Sequence, residues 1–263
     1  MGRLFTFGCS FTYYEWPTWA NIIAVDKQKE LYNLGVAGIG NVGINQRVLE
    51  ADCKFKFTSD DEIMIMWTSW CRDDKLLEFD YTAGGSIFNR PLPIRWYKEN
   101  WSYLDTVVKN SNAIIYTDMA YKQNISWQGT AFDTDFVESG ILPSDRLVGD
   151  LTFVKKIKKM YKTKMPKLNT INFTERGNKK SFGILPDSHP DIIDHMNIVL
   201  NNICDLKSET IELCHSLQES IKTTLIEKRR FSNTKPVIDE IIKNEFADNF
   251  FKYNSYEPLN ARI

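Results

Sequence analysis

The chain has 263 residues, 43% hydrophobic and 25% charged, with 33 basic against 34 acidic side chains for a net charge of −1. That length suits one large domain or a domain with an appendage, and the charge balance removes the electrostatic case for a nucleic-acid partner. No stretch approaches the roughly 18 apolar residues of a membrane span, so no membrane partner is expected.

Residues 3–8 read as a first strand, entered without a basic start, an apolar leader and a small-residue cleavage site, so no signal peptide is expected. Residues 17–26 (PTWANIIAVD) carry apolar positions at helical spacing, with Pro17 in the first turn. Residues 31–36 form a second strand. Residues 41–54 form a helix with Asn41 as N-cap, and 62–67 (EIMIMW) a third strand apolar enough to be buried on both faces. This β-α-β-α-β order predicts a parallel sheet with right-handed crossovers. The functional crevice of such a sheet lies at the carboxyl ends of its strands.

Residues 75–142 are less regular and hold most of the aromatic surplus, among them Phe79, Tyr81, Trp96, Trp101 and Trp127. They read as an insertion with helical pieces near 100–123, either core and lid packing or a platform for a sugar. Residues 144–163 read as a basic amphipathic helix and 167–174 as another strand. A helix begins after Pro190. Residues 207–230 continue at helical period, with Ile211, Leu213, Cys214, Leu217, Ile221 and Leu225 in one stripe. A last helix covers 236–251.

The five cysteines (Cys9, Cys53, Cys71, Cys204 and Cys214) make no C-x-x-C pair. That fits a reduced, intracellular chain, and a cytoplasmic location is expected. With only three histidines (His189, His195 and His215), imidazole chemistry has few candidates.

Four segments can meet at one rim of a parallel sheet: Gly8-Cys9-Ser10-Phe11-Thr12, Asn33 through Asn41, Trp67 through Arg72, and Asp187-Ser188-His189-Pro190. A serine hydroxyl attacks a carbonyl only when a base takes its proton and donors stabilise the oxyanion. Ser10 is the candidate nucleophile, His189 the base, and Asp187 the group that fixes the imidazole tautomer. The candidate oxyanion donors are the N–H groups of Ser10 and Gly38, with a polar side chain from the third strand end. Arg72, just past that end, suits a substrate contact or a structural ion pair. Cys9 is the rival nucleophile; neighbours on a strand end point oppositely, so only one of the pair faces the crevice. The G-x-G at 38–40 lacks the full dinucleotide fingerprint and follows the second strand. Thr12 stands where a G-x-S-x-G elbow needs glycine.

In order and content these blocks resemble the SGNH (GDSL-type) hydrolase family over residues 3–203. The pattern FGCSFT, then W-T-S-x-x-R, then D-x-H-P, is particularly similar to small SGNH-like proteins encoded by tailed bacteriophages. The resemblance implies a flavodoxin-like three-layer α/β/α sandwich with a central parallel sheet. It matches Gly8-Cys9-Ser10 to the nucleophile block, Asn33 through Gly38 to the oxyanion-glycine block, and Asp187, His189 and Pro190 to the block before the last helix. Gly38, Asn41, Thr68, Ser69 and Arg72 are then the oxyanion and substrate-binding candidates. Three positions depart from the family pattern. Cys9 stands in place of Asp. Ser69, or Thr68 on a shift of one, stands in place of the third-block Asn. Asp187 and His189 sit two apart rather than three. A missing oxyanion donor raises the barrier by about 2.7–4 kcal/mol.

The expected organisation is an SGNH-like domain at 1–205, with the aromatic-rich insertion at about 75–142, and a helical extension at 206–263. The extension either wraps the domain or pairs with a second copy as a homo-oligomer. The expected function is a serine esterase or deacylase acting on a small-molecule or carbohydrate ester, O-acetyl groups included, with neither cofactor nor metal. The rival reading is a catalytically weak or inactive binding or structural protein on the same fold, a phage virion or host-interaction component.

Overall fold

Leu4, Phe5, Thr6 and Phe7 are fully buried along the first strand, a pattern that belongs to the middle of a sheet with both faces covered. In a computed structural model of the chain, the described residues are 2–68, 72–77, 80–86, 125–130, 169–172, 180–187 and 189–246. They fall into two compact units. One is drawn from Met1–Ala37, Phe57–Met64 and Glu175–Asn260, the other from Gly38–Lys56 and Ile65–Thr174.

In the first unit β1 (Arg3–Phe7) lies between β2 (Glu30–Asn33) and β3 (Glu62–Trp67), whose first three residues belong here. β1 and β2 run parallel in the register Leu4 to Leu31, Phe5 to Tyr32 and Thr6 to Asn33. Helix α1 (Trp19–Lys27) connects them. It starts two residues after Pro17, which leads into the Thr18 cap instead of filling the first turn; Asn21 Oδ1 accepts from the Thr18 N–H at 3.1 Å. The strand edge is tied by a bidentate pair in which Arg3 donates to Asp61 at 2.7 and 2.5 Å.

Three helices complete this unit, α3 (Ile192–Asn202), α4 (Ser208–Glu227) and α5 (Lys235–Glu245), while α2 (Asn41–Phe55) belongs to the second unit. On α4 the expected stripe is the buried face: Cys214, Leu217, Ile221 and Leu225 are fully buried, while Ile211 and Leu213 are partly covered. They share one core with Trp16, Ile22, Ile192 and Met196, and with Ile238, Ile241 and Ile242 of α5. Residue 207 is Lys, whose side chain cannot accept at a helix start. Asp26 of α1 accepts in its place, from the Lys207 N–H at 2.8 Å and the Thr210 hydroxyl at 2.9 Å.

The second unit holds α2 (Asn41–Phe55), the last three residues of β3, and β6 (Ile125–Thr130) paired in parallel with β7 (Asn169–Asn172), in the order β3-β6-β7. It also holds an antiparallel pair, β4 (Arg72–Leu77) and β5 (Asp80–Ser86). The class is α/β, a parallel sheet with flanking helices, as the alternation in the first 70 residues predicts. Two expectations change. Ile125–Thr130, read as insertion, is a strand of the parallel sheet: Ile125 and Trp127 alternate with polar residues, but Gly129 and the dense aromatics around them hide the period. The cap of α2 is Gly40, not Asn41, because Asp74 of β4 supplies the acceptor, taking the Gly40 N–H at 2.6 Å and the Gly43 N–H at 2.8 Å. The helices read at 100–123 and 144–163 lie outside the described residues, as does the end of the 236–251 helix beyond 246. No helix among the described residues is long and apolar enough to cross a membrane.

Replacing the fully buried Ile221 with Ala should cost about 2–5 kcal/mol of stability through lost burial and the cavity left behind. Urea denaturation followed by circular dichroism measures it, and an exposed control, His215→Ala on the same helix, should change stability by less than about 0.5 kcal/mol.

Candidate active site

β1 ends at Phe7, and the chain turns at once: Cys9 O accepts from the N–H groups of Thr12 and Tyr13 at 2.8 and 3.2 Å. The turn is pinned from outside through the Thr12 carbonyl, which accepts from the Asn33 side chain at 2.7 Å and the Thr18 hydroxyl at 2.6 Å. Gly35 packs against it so closely that a Cβ there would stand 2.9 Å from Thr12 Cβ and 3.0 Å from the Tyr13 nitrogen. The result is a rigid bend with Ser10 at its crest. No hydrogen bond from the Ser10 N–H occurs among the described residues.

On the other side, residues 181–187 and 189–191 are strapped ahead of α3. Ser181 donates its N–H to Asp187 O at 2.9 Å, and its hydroxyl lies 2.9 Å from Asp187 O and 2.5 Å from His189 O. Asp191 caps α3 by accepting from the Asp194 N–H at 3.1 Å, and it also takes the Phe182 N–H at 3.0 Å. Trp16 joins this loop to the Ser10 side: its buried indole N–H donates to Pro190 O at 2.7 Å.

These two loops bring Ser10, His189 and Asp187 together. His189 Nε2 lies 3.0 Å from Ser10 Oγ, across 179 positions of chain. His189 Nδ1 lies 2.7 Å from Asp187 Oδ1, and the same oxygen accepts the His189 backbone N–H at 2.7 Å. The spacing of two therefore works through a local turn in which one carboxylate oxygen takes both N–H groups of the residue two places on. With the Nδ1 proton on the carboxylate side, the Nε2 lone pair faces the serine hydroxyl. Burial alone would lift the Asp187 pKa; hydrogen bonds from His189 and from the Tyr14 phenol outweigh it and bring it down to about 2.

Tyr14 escapes sequence reasoning. Its hydroxyl donates to Asp187 Oδ2, and its ring stacks on His189 with centroids 3.8 Å apart and planes 18° apart. Phe11 meets the same imidazole edge-on at 5.4 Å. An aromatic four residues past the nucleophile carries no spacing signal that separates it from loop packing. Cys9 is buried, and His195 is buried within α3.

The remaining candidates belong to the second unit. Gly38 adopts φ +79°, a left-handed conformation suited to glycine. Asn41 and Thr68 are both buried; Asn41 clamps the Thr68 peptide, accepting its N–H at 2.8 Å and donating to its carbonyl at 3.1 Å. Arg72 opens β4 opposite Ser86. Ser69 lies outside the described residues.

No protein-family model matches the chain, and no curated protein does. Among solved structures, it is similar to a member of the lipolytic protein G-D-S-L family from Veillonella parvula. The identity is 14%, over 77% of this chain and 98% of that one, with a TM-score of 0.38. At that level the functional reading rests on the site's own geometry.

The depressed Asp187 pKa makes a stability prediction with a definite sign. The contribution is fully present above the ordinary carboxyl pKa of 3.8 and is lost as pH falls through about 2. Its size is on the order of 2 kcal/mol. Urea denaturation at several pH values between 2 and 6 should show the stability gap between wild type and Asp187→Asn narrowing in acid; a gap that stays constant would refute the linkage.

Proposed function

We propose that the protein is a serine hydrolase that cleaves an ester-linked acyl group. The observation that supports this most is the hydrogen-bonded line from Asp187 through His189 to Ser10, at 2.7 and 3.0 Å. In the reading, Ser10 Oγ attacks the ester carbonyl while its proton passes to His189 Nε2. The oxyanion forms against the Ser10 N–H. The tetrahedral species collapses, the carbon–oxygen bond to the alcohol breaks, and His189 returns the proton to the leaving oxygen. Water then attacks the acyl-serine with His189 again as base, releasing the acid and restoring Ser10. Asp187, ionised throughout this cycle, keeps the Nδ1 proton in place and offsets the imidazolium charge.

The parts assigned to Gly38, Asn41, Thr68, Ser69 and Arg72 rest on their sequence positions and the family pattern, and the kinship with phage-encoded proteins rests on the family pattern alone. Carbohydrate O-acetyl groups are the first substrate class to test, on the strength of the aromatic residues in 75–142. A second copy of the chain, pairing through the C-terminal helices, is the other partner this reading allows.

The test uses a fluorophosphonate probe and p-nitrophenyl acetate. Wild type should label and turn over; Ser10→Ala should lose all labelling, and both it and His189→Ala should lose turnover by about a thousandfold or more. Labelling that persists in Ser10→Ala would place the nucleophile elsewhere. A folded wild type that neither labels nor turns over would favour the rival, a binding or structural protein on the same fold.

A further inference from the structure

We infer that Tyr14 is a positioning residue for the Asp187–His189 pair, holding the carboxylate by one oxygen and the imidazole by its face. The inference rests on the hydrolase reading for its kinetic consequence, but its structural content stands on the geometry of the pair itself.

A carboxylate with one oxygen engaged can still rotate about its terminal torsion, which is broad and roughly two-fold. Here each oxygen has its own partner: Oδ1 takes both N–H groups of His189, and Oδ2 takes the Tyr14 hydroxyl. Rotation would break all three bonds. The imidazole has a matching freedom about its own ring torsion. The Tyr14 ring covers one face at 3.8 Å, nearly parallel, and the Phe11 ring stands perpendicular to the imidazole at 5.4 Å and 86°. Tyr14 is itself held, edge-on against Trp16 at 4.6 Å, and Trp16 is anchored by its bond to Pro190 O. The phenol is a dependable donor, since burial and the adjoining Asp187 carboxylate keep it protonated far above the ordinary tyrosine range. Tyr14 thus acts on both members of the pair at once, and it does so from the Ser10 side of the chain.

The hydroxyl and the ring can be tested separately. Tyr14→Phe keeps the stack and removes the bond to Oδ2; Tyr14→Ala removes both. With p-nitrophenyl acetate, Tyr14→Phe should lower kcat by about tenfold, the worth of a hydrogen bond to a charged group, with KM changed by less than about twofold because nothing in contact with substrate is altered. Tyr14→Ala should fall further. A substrate-independent arm reads the His189 Nδ1 proton directly by proton NMR of the free protein. The downfield resonance present in wild type should broaden or vanish in Tyr14→Phe while the melting temperature stays within a few degrees. An unchanged resonance together with an unchanged kcat would overturn the inference, as would a Tyr14→Phe loss confined to KM. If wild type has no esterase activity, the hydrolase reading fails, and the resonance alone decides whether Tyr14 holds the pair.

Discussion

One carboxylate oxygen organises the site. Asp187 Oδ1 accepts from the ring and the backbone of the same histidine, so the side chain that orients the imidazole also folds the loop that carries it. The described residues of the loop are strapped further: the carbonyls of Asp187 and His189 are held by Ser181, and the exit is fixed by the Asp191 cap of α3. The bond counts as strong because the acceptor is ionised and partly withdrawn from water. A neutral Asp187 could still accept through its carbonyl oxygen, but only as a weaker, uncharged partner for the imidazole.

The facing half of the site owes its geometry to a different constraint, close approach without a side chain. The bend after β1 is stabilised by four bonds to main-chain carbonyls, two on Cys9 from the Thr12 and Tyr13 N–H groups and two on Thr12 from Asn33 and Thr18, and by Gly35 lying where any Cβ would collide. Asn33 ends β2 and Gly35 follows it, so the strand that pairs with β1 also shapes the turn that β1 feeds into. A central strand, its neighbour and one helix cap together decide where a hydroxyl stands.

How much of this could be read from residues alone follows from where the information sits. Ser10, Asp187 and His189 were legible because each lies in a short block whose neighbours, a glycine before one and a proline after another, punctuate the chain. The α4 stripe was legible because packing demands a 3.6-residue period. Tyr14 was not, since its role depends on two residues 173 and more positions away. The cap of α2 is non-local in the same way: Asp74 supplies the acceptor from β4, leaving Asn41 to clamp Thr68. Lys207 shows the rule again, with Asp26 reaching across to the start of α4. Helix starts are easy to predict when the cap is local and hard when it is borrowed. β6 went unseen because a glycine and a crowd of aromatics blurred its alternation.

The indole of Trp16 gives the arrangement a thermal consequence. Its N–H ties the serine loop to Pro190, beside the histidine, while its ring sits in the same core as α3, α4 and α5. Local fraying of either loop must first extract a tryptophan from that core, so the two loops share one cooperative unit of the fold. Heating should therefore silence the site at the global melting transition and not below it, with amide exchange in both loops as slow as in the helices that bury the indole.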